Sequence, residues 1–306
     1  MKVLITGAEG FIGSHLTELL VRDGHNVRAF VLYNSFNSWG WLEDCAAEVR
    51  DQVEVFLGDV RDPHGVHSAV RNCDAVIHLA ALSTDPLCKG KAYQCFDTNV
   101  MGTLNLMNVA MKKNVTQFIF ASSEWVYSGF TGNEEKNEEA TIDITKISSE
   151  YALSKLVSEA NLRQQYTLGF CDVTILRFGI IYGHKNGKGS AVESIARTVK
   201  NCESITTKSL KTGRRFVHVK DIARGIILSL GLKNFNIINL SGNKVNTLKE
   251  IIETSQRIFH KKIEIIEDDP DNPDVRNPSN RKASKIINWK PEIDLERGIK
   301  DLESFL

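Results

Sequence analysis

The first 178 residues alternate short, mostly apolar runs with longer stretches whose apolar residues recur every three or four positions. The runs are "KVLIT" (2–6), "VRAFVL" (27–32), "VEVFLG" (53–58), "AVIHLA" (75–80), "QFIFA" (117–121) and "DVTILRF" (172–178). They are rich in β-branched and aromatic residues, as strands covered on both faces are. Between them, "FIGSHLTELLVRDG" reads as a helix stopped by Gly24, and "PHGVHSAVRN" as one begun by Pro63. "DTNVMGTLNLMNVAMKK" (97–113) and "KISSEYALSKLVSEANLRQQY" (146–166) also have helical spacing. Strand–helix–strand repetition with apolar strands predicts an α/β fold: a doubly wound parallel sheet with right-handed crossovers. Beyond Phe178 the pattern turns irregular, and prolines gather in "DDPDNPDVRNPSNRK" (268–282). The expected division is a dinucleotide-binding domain over 1–178, completed by a strand and helix around 215–240. A smaller α/β substrate lobe takes most of 179–306.

Between the first run and the first helix lies "TGAEGFIG", with Gly7, Gly10 and Gly13. Gly7 permits a tight turn, Gly10 lets backbone approach a pyrophosphate, and Gly13 lets the helix pack closely on the strand. The helix start, Phe11 and Ile12 included, offers unpaired N–H groups and partial positive charge to phosphates. A plain structural turn explains such glycines less well, because they sit in the required strand–turn–helix context.

Composition narrows the function classes. Lys plus Arg (38) equals Asp plus Glu (38), so no net field draws the chain to nucleic acid or to an anionic membrane. The opening segment is broken by glycines and charges, which fits neither a secretory leader nor a membrane span. The expected setting is cytoplasmic. The six cysteines show no CxxC spacing and the eight histidines no HExxH; His64 and His67 lie in a surface helix. No metal site is expected.

The pentapeptide "YALSK" sets Tyr151 and Lys155 four residues apart, on one face of a helix. An ordinary helix surface is the bland reading of such a pair. The functional reading is a proton-handling device. A free phenol has a pKa of ~10. An ammonium ~4 Å away at an effective dielectric of ~20 stabilises phenolate by roughly 4 kcal/mol, which would bring it near 7. The glycine loop upstream favours function, with a nicotinamide taking hydride while Tyr151 takes the hydroxyl proton.

Together the glycine loop, "GDVRD" (58–62), "HLAAL" (78–82), "DTNVMGT" (97–103), "FIFASSEWVY" (118–127), "YALSK", "RFVHVKDIA" (215–223) and "NWKPEIDLERGI" (288–299) resemble the extended short-chain dehydrogenase/reductases. More narrowly the chain resembles their NAD-dependent sugar-nucleotide epimerases and dehydratases, over essentially its whole length. The resemblance implies that Ser123 is the catalytic Ser/Thr beside Tyr151 and Lys155, donating to the reacting oxygen. It also implies that Lys155 holds the nicotinamide ribose. In 4,6-dehydratases the triplet is Thr-Asp-Glu; here it is Ser123-Glu124-Trp125. Tryptophan cannot take the C5 proton, so the resemblance points to C4 redox chemistry: a 4-epimerase, 4-dehydrogenase or 4-ketoreductase. Against this, "YNSFNSWGWLE" (33–43) resembles the cofactor loop of legionaminate-type 4,6-dehydratases. That loop suggests a surface-glycan pathway and a GDP-linked sugar.

By the same resemblance, Tyr33, Asn34 and Ser35 follow the second strand where NAD-specific members carry an acid. With neither a carboxylate nor an arginine there, NAD is favoured and NADP stays open. Asp59 and Val60 flank the adenine. Leu79, Ala80 and Ala81 let backbone pass the cofactor, and Asn99 either contacts it or anchors a neighbouring loop. Ser83, Thr84, Ser123 and Glu124 face the sugar, while Arg214 and Arg276 take the diphosphate with guanidinium forks. Ile180 replaces an asparagine that contacts substrate in many relatives. A homodimer through the helices near Asp97–Lys113 and Lys146–Tyr166 is implied as well. A non-catalytic dinucleotide-binding protein is the other class; such proteins typically lose the Tyr or the Lys.

Overall fold

The apolar runs become strands that bury nearly all of their side chains. In the computed structural model, which describes residues 1–130, 133–185 and 189–306, Val3, Leu4 and Ile5 are wholly buried. The strands are β1 (Lys2–Thr6), β2 (Asn26–Leu32), β3 (Val53–Gly58), β4 (Ala75–His78), β5 (Gln117–Ser123), β6 (Asp172–Phe178) and β7 (Phe235–Leu240). They form one sheet in the order β7-β6-β5-β4-β1-β2-β3. The pairs β1–β2, β2–β3, β1–β4 and β4–β5 are parallel. The order reverses at β1, so β1 and β4 are neighbours with their following loops on opposite sides. In such sheets this is where a dinucleotide binds.

Helices α1 (Phe11–Arg22), α2 (Pro63–Val70), α3 (Gly102–Lys112) and α4 (Glu150–Thr167) belong to the same unit. On one face, α2 and α3 bring Val66, Ala69, Leu106 and Met107 onto Leu4, Phe30, Phe118 and Phe120. Each large side chain buried there stabilises the unit by about 1.5–3 kcal/mol. This unit comprises 1–129, 142–177 and 223–238.

Two helices depart from the sequence reading. The segment expected as one helix from Asp97 opens with a π turn over Asp97–Met101 before α3 begins. Such turns are rare, and those that occur are frequently at functional sites. The helix expected from Lys146 begins only at Glu150. Ile144–Lys146 form a separate 3-10 turn capped by Asp143, and Ser149 caps α4 by accepting from the Ala152 N–H at 3.3 Å. The start places Tyr151 in the first turn of α4.

The second unit comprises 130–141, 178–222 and 239–306. Its core packs Val192, Ile195 and Val199 of the helix Ala191–Asn201 with Ile251 and Ile252 of the helix Leu248–Ile258 and with Ile299 and Leu302. Both named helices start in a capping box, Ser190 with Glu193 and Thr247 with Glu250. Among the described residues no helix is long and apolar enough to cross a membrane.

Candidate active site

The turn after β1 forms as its glycines require. Gly7 has φ +71°, and a Cβ on it would lie 2.9 Å from the Ala80 nitrogen. A Cβ on Gly13 would lie 2.2 Å from the Gly7 oxygen. Gly10, with φ near −80°, precedes α1, and a Cβ on it would meet, among the described residues, just the Gly7 oxygen, at 3.3 Å. The first N–H groups of α1, from Phe11 and Ile12 onward, therefore open onto backbone with no side chain at Gly10 in the way. This is a cradle of the kind a pyrophosphate fills.

Ser123 ends β5 and Tyr151 lies in the first turn of α4, where the Ser123 hydroxyl favours the phenolate of Tyr151. Ser123 Oγ also accepts from the Trp125 N–H at 3.2 Å, which fixes the strand end. Tyr151 shares a buried cluster with Cys88 and Cys95, closed by Leu82 and Trp125. Burial pushes its pKa up to about 12, against the pull of the Ser123 hydroxyl. Lys155 is buried too, and that lowers its pKa to about 8. Its Nζ donates to the Ala121 carbonyl at 2.7 Å and lies 5.8 Å from the centre of the Tyr151 ring. The expectation that Lys155 alone brings the phenol near 7 is corrected by this geometry. Desolvation of the phenol outweighs an ammonium occupied with a carbonyl.

Asn99 takes the anchoring part of its two expected roles. Its Oδ1 accepts from the Leu82 N–H at 2.7 Å, and its Nδ2 donates to the Leu82 carbonyl at 3.1 Å and to Ser154 Oγ at 3.0 Å. Side-chain atoms so engaged, at 2% exposure, place the strand end that carries Leu79, Ala80 and Ala81.

A hydrogen-bond chain crosses the unit from Ala80 to Asn99. The Ala80 N–H donates to Thr6 Oγ1 at 3.2 Å, and Thr6 meets His78 Nδ1 at 2.7 Å. His78 Nε2 meets Thr103 Oγ1 at 3.0 Å, and Thr103 donates to the Asn99 carbonyl at 2.6 Å. Because Thr103 spends its proton on Asn99, Nε2 must carry the imidazole proton, and Nδ1 then accepts from Thr6. Burial, and next the charge of Lys155, hold the His78 pKa down at about 3.

Sequence reasoning missed the layer behind Lys155. Glu159 lies one further turn along α4 and is buried. Its carboxylate accepts from Arg177 Nε at 3.1 Å and Nη2 at 2.7 Å, and from Ser122 Oγ at 2.5 Å. Arg177 Nη1 also donates to the Tyr127 hydroxyl at 2.8 Å. A Tyr–Lys–Glu stripe at four-residue spacing was the signal that could have found it.

The other expected residues fall in two groups. Asp59 is clamped by Arg61, whose Nη2 lies 2.6 Å from Oδ2, and this lowers the Asp59 pKa. Val60 packs on Gly102. Asn34 folds its own loop, accepting from the N–H groups of Phe36 and Ser38 at 3.1 Å each. Tyr33, Ser35, Ser83 and Thr84 are exposed. Glu124 is wholly buried directly after Ser123. Arg214 and Arg276 stand opposite each other on paired strands of the second unit, and both ion-pair with Asp274.

The family model described as NAD dependent epimerase/dehydratase family matches residues 3–241. The chain belongs to that family. A UDP-glucuronate 4-epimerase of Thermodesulfobacterium geofontis is 29% identical over 97% of this chain and 93% of its own length. A UDP-N-acetyl-alpha-D-glucosaminuronate decarboxylase of Bacillus cytotoxicus is 27% identical over 98% and 96%. Among solved structures, the UDP-glucose 4-epimerase of Thermus thermophilus in complex with NAD superposes with a TM-score of 0.84, at 25% identity, covering the whole of both chains. In this family the fold is the NAD-binding one read from the glycine loop, and its members here are nucleotide-sugar enzymes. These relatives carry UDP-sugars in their names; the expected GDP-linked sugar has no counterpart among them.

Proposed function

We propose that this family member is an NAD-dependent nucleotide-sugar C4 oxidoreductase, a 4-epimerase or 4-dehydrogenase working through a 4-keto sugar. A UDP-linked hexose is the substrate its kinship favours. The observation that carries the reading is that Ser123, Tyr151 and Lys155 are all buried, with Lys155 Nζ 5.8 Å from the centre of the Tyr151 ring; the family resemblance adds Trp125 where a dehydratase would have its base.

Bound NAD supplies a hydride acceptor beside C4. The residues of the chain handle the proton. Ser123 donates to the C4 oxygen and holds it against Tyr151. Tyr151 removes the hydroxyl proton as the carbonyl forms and returns it on reduction. Lys155 stabilises the phenolate and holds the nicotinamide ribose. Leu82, Trp125, Cys88 and Cys95 exclude water around the phenol, which strengthens each of these interactions. Gly10 and the start of α1 hold the pyrophosphate, Ala80 and Ala81 pass beside the cofactor, and Asp59 with Val60 flanks the adenine. The diphosphate of the sugar nucleotide falls to Arg214 and Arg276.

Glu124 supports a second reading. A buried carboxylate next to Ser123 could serve as the acid of a 4,6-dehydratase, and the Tyr33–Glu43 loop resembles that class. One experiment separates the readings: NMR and mass spectrometry of products from UDP- and GDP-hexoses, with and without added NAD. An isomer of unchanged mass means epimerisation. Net NADH with a ketone means dehydrogenation, and loss of one water means dehydration. No product from any of them, with NAD still bound, would leave a non-catalytic binding protein.

A homodimer is part of this reading. Met101 and Met111 are exposed apolar side chains within Asp97–Lys113, which with Lys146–Tyr166 is where the family resemblance puts the partner.

A further inference from the structure

The end of β2 lacks the carboxylate that receives the adenosine ribose in many dinucleotide-binding sheets. Leu32 ends the strand, and Tyr33, Asn34 and Ser35 follow. The structure brings a carboxylate to that place from elsewhere in the chain. Glu9, the residue before Gly10, reaches across so that its Oε1 accepts from the Leu32 N–H at 3.1 Å. Its backbone oxygen accepts from the Trp41 N–H at 3.0 Å. Gly40 comes so close that a Cβ there would lie 2.8 Å from that oxygen. Glu9 is thus fixed on one side by the strand end and on the other by the Gly40–Trp41 turn. Its second oxygen, Oε2, is shielded and hydrogen-bonds to none of the described residues. Burial raises the Glu9 pKa against the Leu32 and Glu9 N–H groups that lower it, so further donors at this carboxyl would favour its charged form.

We propose that Glu9 supplies the carboxylate missing from the end of β2, accepting hydrogen bonds from the adenosine ribose diol and selecting NAD against NADP. This rests on the NAD-dependent reading above. The diol offers the two hydroxyl donors the carboxylate lacks. A 2′-phosphate offers only acceptors and about two negative charges, which a carboxylate repels. The position explains how the chain can lack an acid at Tyr33 and still prefer NAD.

The test is isothermal titration calorimetry on the full chain with NAD⁺, NADP⁺ and NAD⁺ lacking the adenosine 2′-hydroxyl, for wild type, Glu9→Gln and Glu9→Ala. Glutamine keeps an acceptor for the Leu32 N–H while removing the charge. The wild type is expected to prefer NAD⁺ over both other nucleotides by about ten- to a hundredfold. In Glu9→Gln the preference over NADP⁺ shrinks by a comparable factor, and in Glu9→Ala the penalty for the missing hydroxyl disappears. Each comparison is a ratio within one protein, so a partly unfolded variant does not distort it. If both variants keep the wild-type ratios, the inference is overturned while NAD binding stands. If the wild type binds neither dinucleotide, the NAD-dependent reading itself fails, and this inference with it.

Discussion

Lys155 follows Tyr151 by one helical turn, yet its ammonium donates to the Ala121 carbonyl at 2.7 Å and lies 5.8 Å from the centre of the tyrosine ring. The two groups are preset but not engaged. Burial holds the phenol at a pKa of about 12 and the amine at about 8, so each favours its neutral form more than in water. The hydroxyls of a bound ribose would offer Lys155 acceptors in place of Ala121, and the positive charge of an oxidised nicotinamide would favour the phenolate.

Replacing Tyr151 with phenylalanine removes the buried phenol whose ionised form the Ser123 hydroxyl favours. Turnover should fall by about 10²–10⁴-fold, the usual worth of a positioned acid–base group. NAD⁺ affinity should change by less than about threefold, since the lost group is worth little to the ground state. Steady-state kinetics and calorimetry on one preparation check both. Wild-type turnover in the variant would remove Tyr151 from the mechanism.

His78 gives the fold an acid limit. Its Nδ1 accepts from Thr6 and its Nε2 donates to Thr103, so a second proton would break the chain from Ala80 to Asn99. The folded-state pKa is about 3 and the unfolded value is ordinary, near 6.5. Between those values the unfolded chain binds the proton and the native one does not. Stability from this group is therefore present above pH ~6.5 and declines as pH falls, by up to about 1.4 kcal/mol per unit. Urea unfolding at pH 7 and pH 5 should show the decline, and His78→Gln should flatten it. An equal pH slope in the variant would rule out His78 as its source.

The features legible in the sequence were those imposed by backbone or by regular spacing. β1 and β5 announced themselves because strands covered on both faces must be apolar. Gly7 and Gly13 did so because a Cβ at either would meet backbone. Tyr151 and Lys155 were found through helical spacing. What stayed hidden depends on neighbours distant in sequence. Glu159 and Arg177 look like solvated charges when read along α4 and β6, and only the fold turns them toward each other. Glu9 reads as a spacer between glycines until β2 arrives beside it. The rise in the Tyr151 pKa was equally out of reach, because Leu82, Cys88, Cys95 and Trp125 come from separate elements. The late start of α4 was missed because Ser149 caps it inside a run that reads as helix throughout.

The glycine cradle should tolerate no side chain at Gly13. A Cβ there would lie 2.2 Å from the Gly7 oxygen and 2.7 Å from the Ala8 Cα, both backbone atoms. The turn would have to open, at a cost of about 1–3 kcal/mol. Gly13→Ala should lower stability by that amount and weaken NAD⁺ binding by more than about tenfold. Thermal melting with and without NAD⁺ reads both effects. A variant stabilised by NAD⁺ as strongly as the wild type would show that this turn does not hold the dinucleotide.

The ion pair behind Lys155 gives the last test. Arg177 and Glu159 are each more than nine-tenths buried and meet through two hydrogen bonds. Removing one partner leaves the other charged in a desolvated place, which typically costs about 3–5 kcal/mol. Arg177→Met should lose that much stability in urea unfolding. The double variant Arg177→Met with Glu159→Met should lose clearly less, because no buried charge is left uncompensated. Glu159 also holds up the Lys155 pKa through its charge. Glu159→Gln should therefore lower that pKa further and move the falling alkaline side of Lys155-dependent NAD⁺ binding toward acid pH. A single Arg177→Met variant within about 1 kcal/mol of the wild type, with an unmoved binding profile in Glu159→Gln, would mean that this pair neither holds the fold nor tunes the lysine.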